Sequence, residues 1–504
     1  MKRRNFLRAG ATGTIAAGAT AFGILKYPRR ALAGWGAWPE DKLSALIPAE
    51  RQAQNVLEVF FYGGMSAFDT FYTVPSWGQG NQTFLNAFLG ETTTRFGSCG
   101  FAGDLTEPFA DDQNGVEVHL GPWVTPLRER PDIVERMRVV VQRHDSLPHE
   151  GANPFALTGS RLGSPRLAGV GASIQRHFLE RPGGLRSTPY AYVLYPGVDF
   201  PTDNVKAASS VGLHPGSARP LSVVVDSNSE LSNLLSRTTV GARRAEFDDA
   251  IDHYLRDYES RFRPGGKGAA TRSSERSNFS FAHFARRSAQ QLEGVLASDL
   301  FQVVGGDECG NNEPVDMPAM QARLAAALLT RQSDQPRYVQ WIDGGLRPHP
   351  AAGHDTHQKH VDYASMNVTH TLRQLVSIIN EPGENDPNKI DLDTTMIVLN
   401  TEFGRTPYVQ GQDGLNHWPQ GMVNVFIGGP VTSGERGVYG AITEDQGYAD
   451  TWVTPAENRM MLMMALGIYP FSSQTFAVGD VGGGVKNELE AATRLKELYF
   501  GIKA

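Results

Sequence analysis

The segment Thr401-Glu402-Phe403-Gly404-Arg405-Thr406-Pro407, with His417-Trp418 soon after it, puts a carboxylate, a guanidinium and an imidazole within reach of one another. An acid and an imidazole can share a proton or a metal ion, and the planar arginine fork suits an anionic group. Just ahead runs Thr394-Thr395-Met396-Ile397-Val398-Leu399-Asn400, apolar, β-branched and of strand length. Such a strand delivers its last residues to the carboxyl edge of an α/β sheet, although the same residues also suit a solvated ion pair at a strand terminus. Three further loops carry acids and histidines after strand-like runs: Gly63-Gly64-Met65-Ser66-Ala67-Phe68-Asp69, His144-Asp145-Ser146-Leu147-Pro148-His149-Glu150, and His354-Asp355-Thr356-His357-Gln358-Lys359-His360. Six of the 13 histidines fall in these four loops, whereas core histidines are normally isolated, so the concentration points to a site.

Divalent metals draw carboxylates and imidazoles from several strand ends. Asp69, Asp355, His357, Glu402 and His417 are the right types, with His354 and His360 as alternatives. Asp355 and His357 stand two apart, so an extended backbone turns both to one side. Ser66 and Ser146 are nucleophile candidates by position, but neither lies in a Gly-x-Ser-x-Gly elbow. The chain has no Gly-x-Gly-x-x-Gly fingerprint and no Walker sequence.

Strands are expected at residues 56–62, 137–141, 190–195, 221–225, 338–342, 396–399 and 423–427, with helices at 166–179 and 370–379 between them. A last helix starts at Thr454-Pro455-Ala456-Glu457 and is stopped by Gly467. Strands alternating with helices imply an α/β fold with a mostly parallel sheet. Residues 227–330 differ in character. Phe247, Ile251, Tyr254 and Tyr258 recur at helical spacing, as does the 281–300 stretch, and a Gly/Ser/Arg-rich run separates the two. They read as a helical insertion or cap within one domain over 50–504.

Lys2-Arg3-Arg4-Asn5-Phe6-Leu7-Arg8, a weakly apolar Ala/Gly/Thr stretch and Ala31-Leu32-Ala33 read as a twin-arginine export signal over 1–33, engaging the twin-arginine machinery and placing the mature chain in the periplasm or outside the cell. The stretch is too short and Gly-rich for an anchor, so no stable membrane anchor is expected after cleavage. A net charge of −7 argues against nucleic acid. Cys99 and Cys309 are the only cysteines and either pair or stay buried as thiols; thiolate zinc chemistry is excluded.

The Gly63-Gly64-x-Ser66-x-x-Asp69-Thr70-Phe71 run, Asp355-Thr356-His357, the Glu402–Pro407 motif, His417-Trp418, Gly428-Gly429 and Gly437-Val438-Tyr439-Gly440 resemble domain-of-unknown-function family 1501. That family is similar in fold to alkaline phosphatases and arylsulfatases. The resemblance implies a three-layer α/β sandwich whose strand ends hold zinc, magnesium, calcium or manganese. Asp69, Asp355, His357, Glu402 and His417 would be the ligands. Sulfatases place their nucleophile ten residues before the glycine of a Leu-Thr-Gly sequence. Counting back from Gly159 of Leu157-Thr158-Gly159 reaches His149, neither Cys nor Ser/Thr. Hydrolysis of a phosphate or sulfate ester, on a small anionic ester or a polysaccharide, would then use His149 as nucleophile or base, Arg405 on the anion, and Ser146 nearby. The alternative is a non-catalytic exported protein that binds a ligand or serves the cell envelope on the same fold.

Overall fold

The computed structural model describes residues 35–78, 105–162, 164, 169–180, 191–195, 221–224, 242–262, 316–332, 335–346, 353–411 and 413–502. The expected signal, both cysteines and much of the expected insertion, including the 281–300 stretch, lie outside the described residues.

The chain is organised on an eight-stranded sheet. Its strands are β1 (Asn55–Phe61), β4 (Met137–Gln142), β5 (Tyr192–Tyr195), β6 (Leu221–Val224), β7 (Tyr338–Asp343), β8 (Thr395–Asn400), β11 (Met422–Gly428) and β12 (Gly437–Tyr439). They lie side by side as β12–β4–β11–β8–β1–β7–β5–β6. β1 (Asn-Val-Leu-Glu-Val-Phe-Phe) is buried throughout, as a central strand covered on both faces requires. It pairs in parallel with β7 and β8, and the sheet is parallel except at β11, which runs against both β8 and β4. Because Met422 pairs with Gln142, β11 begins at the edge where β4 ends. Three small hairpins decorate the sheet: β2 (Glu107–Asp111) with β3 (Glu117–Leu120), β9 (Gly404–Arg405) with β10 (His417–Trp418), and β13 (Ala441–Ile442) with β14 (Ala449–Thr451).

The described helices longer than one turn are α1 (His149–Thr158), α2 (Val170–Glu180), α3 (Ala242–Phe262), α4 (Met317–Leu329), α5 (His360–Ser377), α6 (Pro455–Ala465) and α7 (Glu488–Phe500). Leu57, Val59 and Phe61 share a core with α4 and α5. Val56, Met396, Val398 and Phe426 on the opposite face share a second core with α2, α6 and α7. α4, which falls inside the stretch expected as an insertion, thus packs on the sheet, where the Gln321 amide donates to the Ile342 carbonyl at 2.7 Å. No described helix is long and apolar enough to cross a membrane.

Three helices depart from the sequence expectation. α7 (Glu488–Phe500) follows the helix expected to be the last. α5 begins ten residues earlier, at His360, because its inward face carries buried His360, Asn367, Thr369 and His370, which mask the apolar period. α1 had no expected helix over it, its first residues falling in the stretch read as a loop and Gly151 and Pro154 sitting within it; it runs to Gly159, whose φ of 70° ends it. α6 follows the sequence: Thr454 and Glu457 form a capping box around Pro455.

Candidate metal centre

Four strand ends and one strand start meet at a single rim. β1 leads into Tyr62 to Asp69, β4 into His144 and the first turn of α1, and β8 into Glu402 and Arg405, while β10 hands over to β11. β7 precedes the loop that carries Asp355 and His357. One ligand atom each from His149, Asp355 and His417 lies within 4.8 Å of the other two. His149 Nε2 is 3.4 Å from Asp355 Oδ2, and His417 Nε2 is 3.2 Å from Asp355 Oδ1. His357 Nε2 adds a third nitrogen, 3.1 Å from Asp355 Oδ1 and 3.1 Å from His417 Nε2.

The tautomers decide what this group can hold. His417 Nδ1–H donates to the Leu147 carbonyl at 2.9 Å, so its Nε2 presents a lone pair to the cluster. His149 Nδ1–H donates to Glu402 Oε1 at 3.0 Å, which turns its Nε2 inward in the same way. Lone pairs on two imidazoles and a carboxylate oxygen repel unless a cation or proton sits among them. The 3.4 Å of the His149–Asp355 pair exceeds the about 2.7–2.9 Å of a charge-assisted hydrogen bond. It matches the about 3.4 Å between atoms held at 2.0–2.1 Å from a tetrahedral ion. The residues present therefore fit a divalent metal, with imidazole and carboxylate donors as zinc or manganese takes them.

Burial, the largest single effect, opposes charge on His149, but hydrogen bonds to Asp355 and Glu402 outweigh it and raise its pKa to about 9, so near neutral pH a proton occupies Nε2 and a metal binds there by displacing it. Asp355 is also disfavoured as an anion by burial, yet His149, His357, His417 and Arg405 hold its pKa below the ordinary carboxylate range. His417 is lowered by burial first, with Arg405 and His149 adding to it, against the opposing pull of Asp355. A ring that resists protonation keeps its lone pair available to a metal.

The other expected site residues take different places. Glu402 is fully buried behind His149: Oε1 accepts from the Gly63 N–H at 2.7 Å and from His149, and Oε2 lies 3.3 Å from Thr401 Oγ1. Its expected place among the metal ligands is corrected by this, since the imidazole stands between it and the cluster. Gly63 makes the approach feasible, because a Cβ there would lie 2.2 Å from the Asp355 nitrogen. Arg405, expected to grip an anionic substrate, is also fully buried. It donates to Asp355 Oδ1 at 2.5 Å, to the Leu415 carbonyl at 2.9 Å and to the Gly63 carbonyl, so it clamps the protein to itself. Asp69 is outside the three-residue group. It accepts from Ser66 Oγ at 2.6 Å and faces His360 Nε2 at 3.8 Å, which leaves buried Ser66 without access to substrate. Ser146 Oγ packs against Gly151 in the first turn of α1, and its N–H donates to His144 Nδ1 at 3.1 Å. His354 binds Asp343 at 2.7 Å beneath the cluster.

Two contributors had no sequence signal as site residues. The Leu147 carbonyl is main chain, and Tyr62, read as the end of a strand, stacks on the His149 ring at 5.4 Å and 17°.

A family model described as a protein of unknown function, DUF1501, matches residues 53–459. The chain belongs to this family. No curated protein matches it. The DUF1501 match runs from just before β1 into α6 and so takes in every residue of the cluster.

Proposed function

We propose that this DUF1501 chain holds one divalent metal ion through His149, Asp355 and His417, with half-exposed His357 as a further donor, and hydrolyses phosphate or sulfate esters. The observation that carries the reading is the pair of inward-turned Nε2 atoms of His149 and His417 converging on Asp355. Bound there, a divalent ion would polarise the ester and make water a competent nucleophile near neutral pH. His149 then serves as ligand, not as nucleophile or base. With Arg405 turned inward, the anionic group is met by the ion itself and by the first turn of α1, whose main-chain N–H groups favour negative charge. The likeness to alkaline phosphatases and sulfatases supports the ester class, and the Lys2-Arg3-Arg4 segment supports twin-arginine export to the periplasm or beyond.

One observation favours binding without turnover: both nitrogens of His149 are engaged, so the position corresponding to the sulfatase nucleophile has no free attacking atom. Metal analysis of the purified chain, beside an assay on a panel of phosphate and sulfate esters, separates the readings. The hydrolase reading expects bound metal and ester cleavage, both lost in His417→Ala. Metal without cleavage on any ester leaves the binding reading, and a chain that takes up no zinc, magnesium, calcium or manganese defeats both.

A further inference from the structure

We infer that Glu402 is a positioning residue that acts on the metal site only through His149. This rests on the metal reading above and departs from the ligand role that the family resemblance implies for Glu402.

Two donors converge on its carboxylate, the Gly63 N–H at 2.7 Å and His149 Nδ1–H at 3.0 Å. The carboxylate has no exposed surface, and it meets the Nδ1 edge of the imidazole while Nε2 is turned toward Asp355. A carboxylate on one nitrogen fixes the tautomer, orients the ring and makes the other nitrogen a better donor. The ring has a second restraint in the stacked Tyr62, so the Glu402 contribution is chiefly the choice of tautomer and the basicity of Nε2. Glu402 is held in turn by its own strand. Thr401 Oγ1 donates to the Phe61 carbonyl at 2.9 Å, and His144 Nε2–H donates to the Glu402 carbonyl at 2.7 Å. The carboxylate therefore has little freedom to swing round the ring and become a ligand.

The test is a double-mutant cycle on zinc affinity with the full-length protein, read by competition with a chromophoric chelator. Glu402→Gln keeps shape and one acceptor but removes the charge, and it should weaken zinc about ten- to a hundredfold. In a His149→Ala background the same change should cost nothing more. An equal loss in both backgrounds shows that Glu402 touches the metal itself and overturns the inference, as does wild-type affinity in Glu402→Gln. The cobalt-substituted protein gives a second readout: Glu402→Gln should keep the ligand number reported by its visible spectrum, and a lost ligand contradicts the inference. Should Glu402→Gln fail to fold, Glu402→Asp takes its place in the cycle. Failure of the unsubstituted chain to bind zinc or cobalt is a separate result that defeats the metal reading itself.

Discussion

His144 is buried, and a neutral ring uses both of its nitrogens: Nε2–H donates to the Glu402 carbonyl and Nδ1 accepts from Ser146. Burial above all, with help from Arg161, lowers its pKa from 6.5 to about 4 against the opposing pull of the Glu402 carbonyl, Asp145 and the Glu402 carboxylate. Between those values the unfolded chain binds a proton that the folded chain refuses. The stabilisation is therefore complete above pH 6.5 and is lost as pH falls toward 4. His144→Gln keeps a donor for the carbonyl and removes the titration. Its denaturant-derived stability should fall about 2 kcal/mol less between pH 7 and pH 5 than that of the parent. An identical pH slope in the two proteins would rule out this assignment. At this scale the sequence named the right residue types, because acids and imidazoles at strand ends are few and clustered. It misplaced Glu402 and Arg405, since a carboxylate or guanidinium reads the same whether it faces a ligand or a neighbouring backbone.

The loops that bear the proposed ligands are locked together as elements. Leu415 N–H donates to the Thr356 carbonyl at 3.2 Å and His360 N–H to the Asp413 carbonyl at 2.9 Å, which lays the 413–415 turn along the 356–360 loop. Gly414 lies so close that a Cβ there would fall 1.7 Å from the His357 carbonyl oxygen. Gly414→Ala must push the His357 backbone outward, at about 1–3 kcal/mol of overpacking. Zinc affinity should fall with it, while a variant that binds zinc as tightly as the parent would show that His357 lies outside the metal's reach. The buried strands were legible because β-branched runs end at glycines and acids. α1 was not, because Gly151 and Pro154 break every local rule for a helix; packing of α1 against α6 overrides propensity there.

Across the whole molecule, one buried ion pair ties sheet to helix. Arg459 of α6 donates to both oxygens of Glu58 in β1, at 2.8 and 2.9 Å. Glu58 also accepts from Tyr338 of β7 and, at 2.6 Å, from Asn400 of β8. Glu58→Ala strands a guanidinium with no exposed surface and should cost about 3–5 kcal/mol in denaturant unfolding. Glu58→Met with Arg459→Met should recover most of that loss, and a double variant no better than the single would show that the pair is not acting as a unit. The mostly parallel sheet followed from alternating strand and helix signals. The reversal of β11 did not, because its apolar run reads alike in either direction.

The Leu147 carbonyl that fixes the His417 tautomer is 270 residues away from it along the chain. No stretch of partly synthesised or unravelled polypeptide can therefore present the proposed coordination sphere, and loop closure over that span would precede any ion capture. Tight zinc uptake would then report that the last strands have docked. Added to a refolding reaction, the ion should leave the early rate unchanged and slow only the reverse step, unfolding.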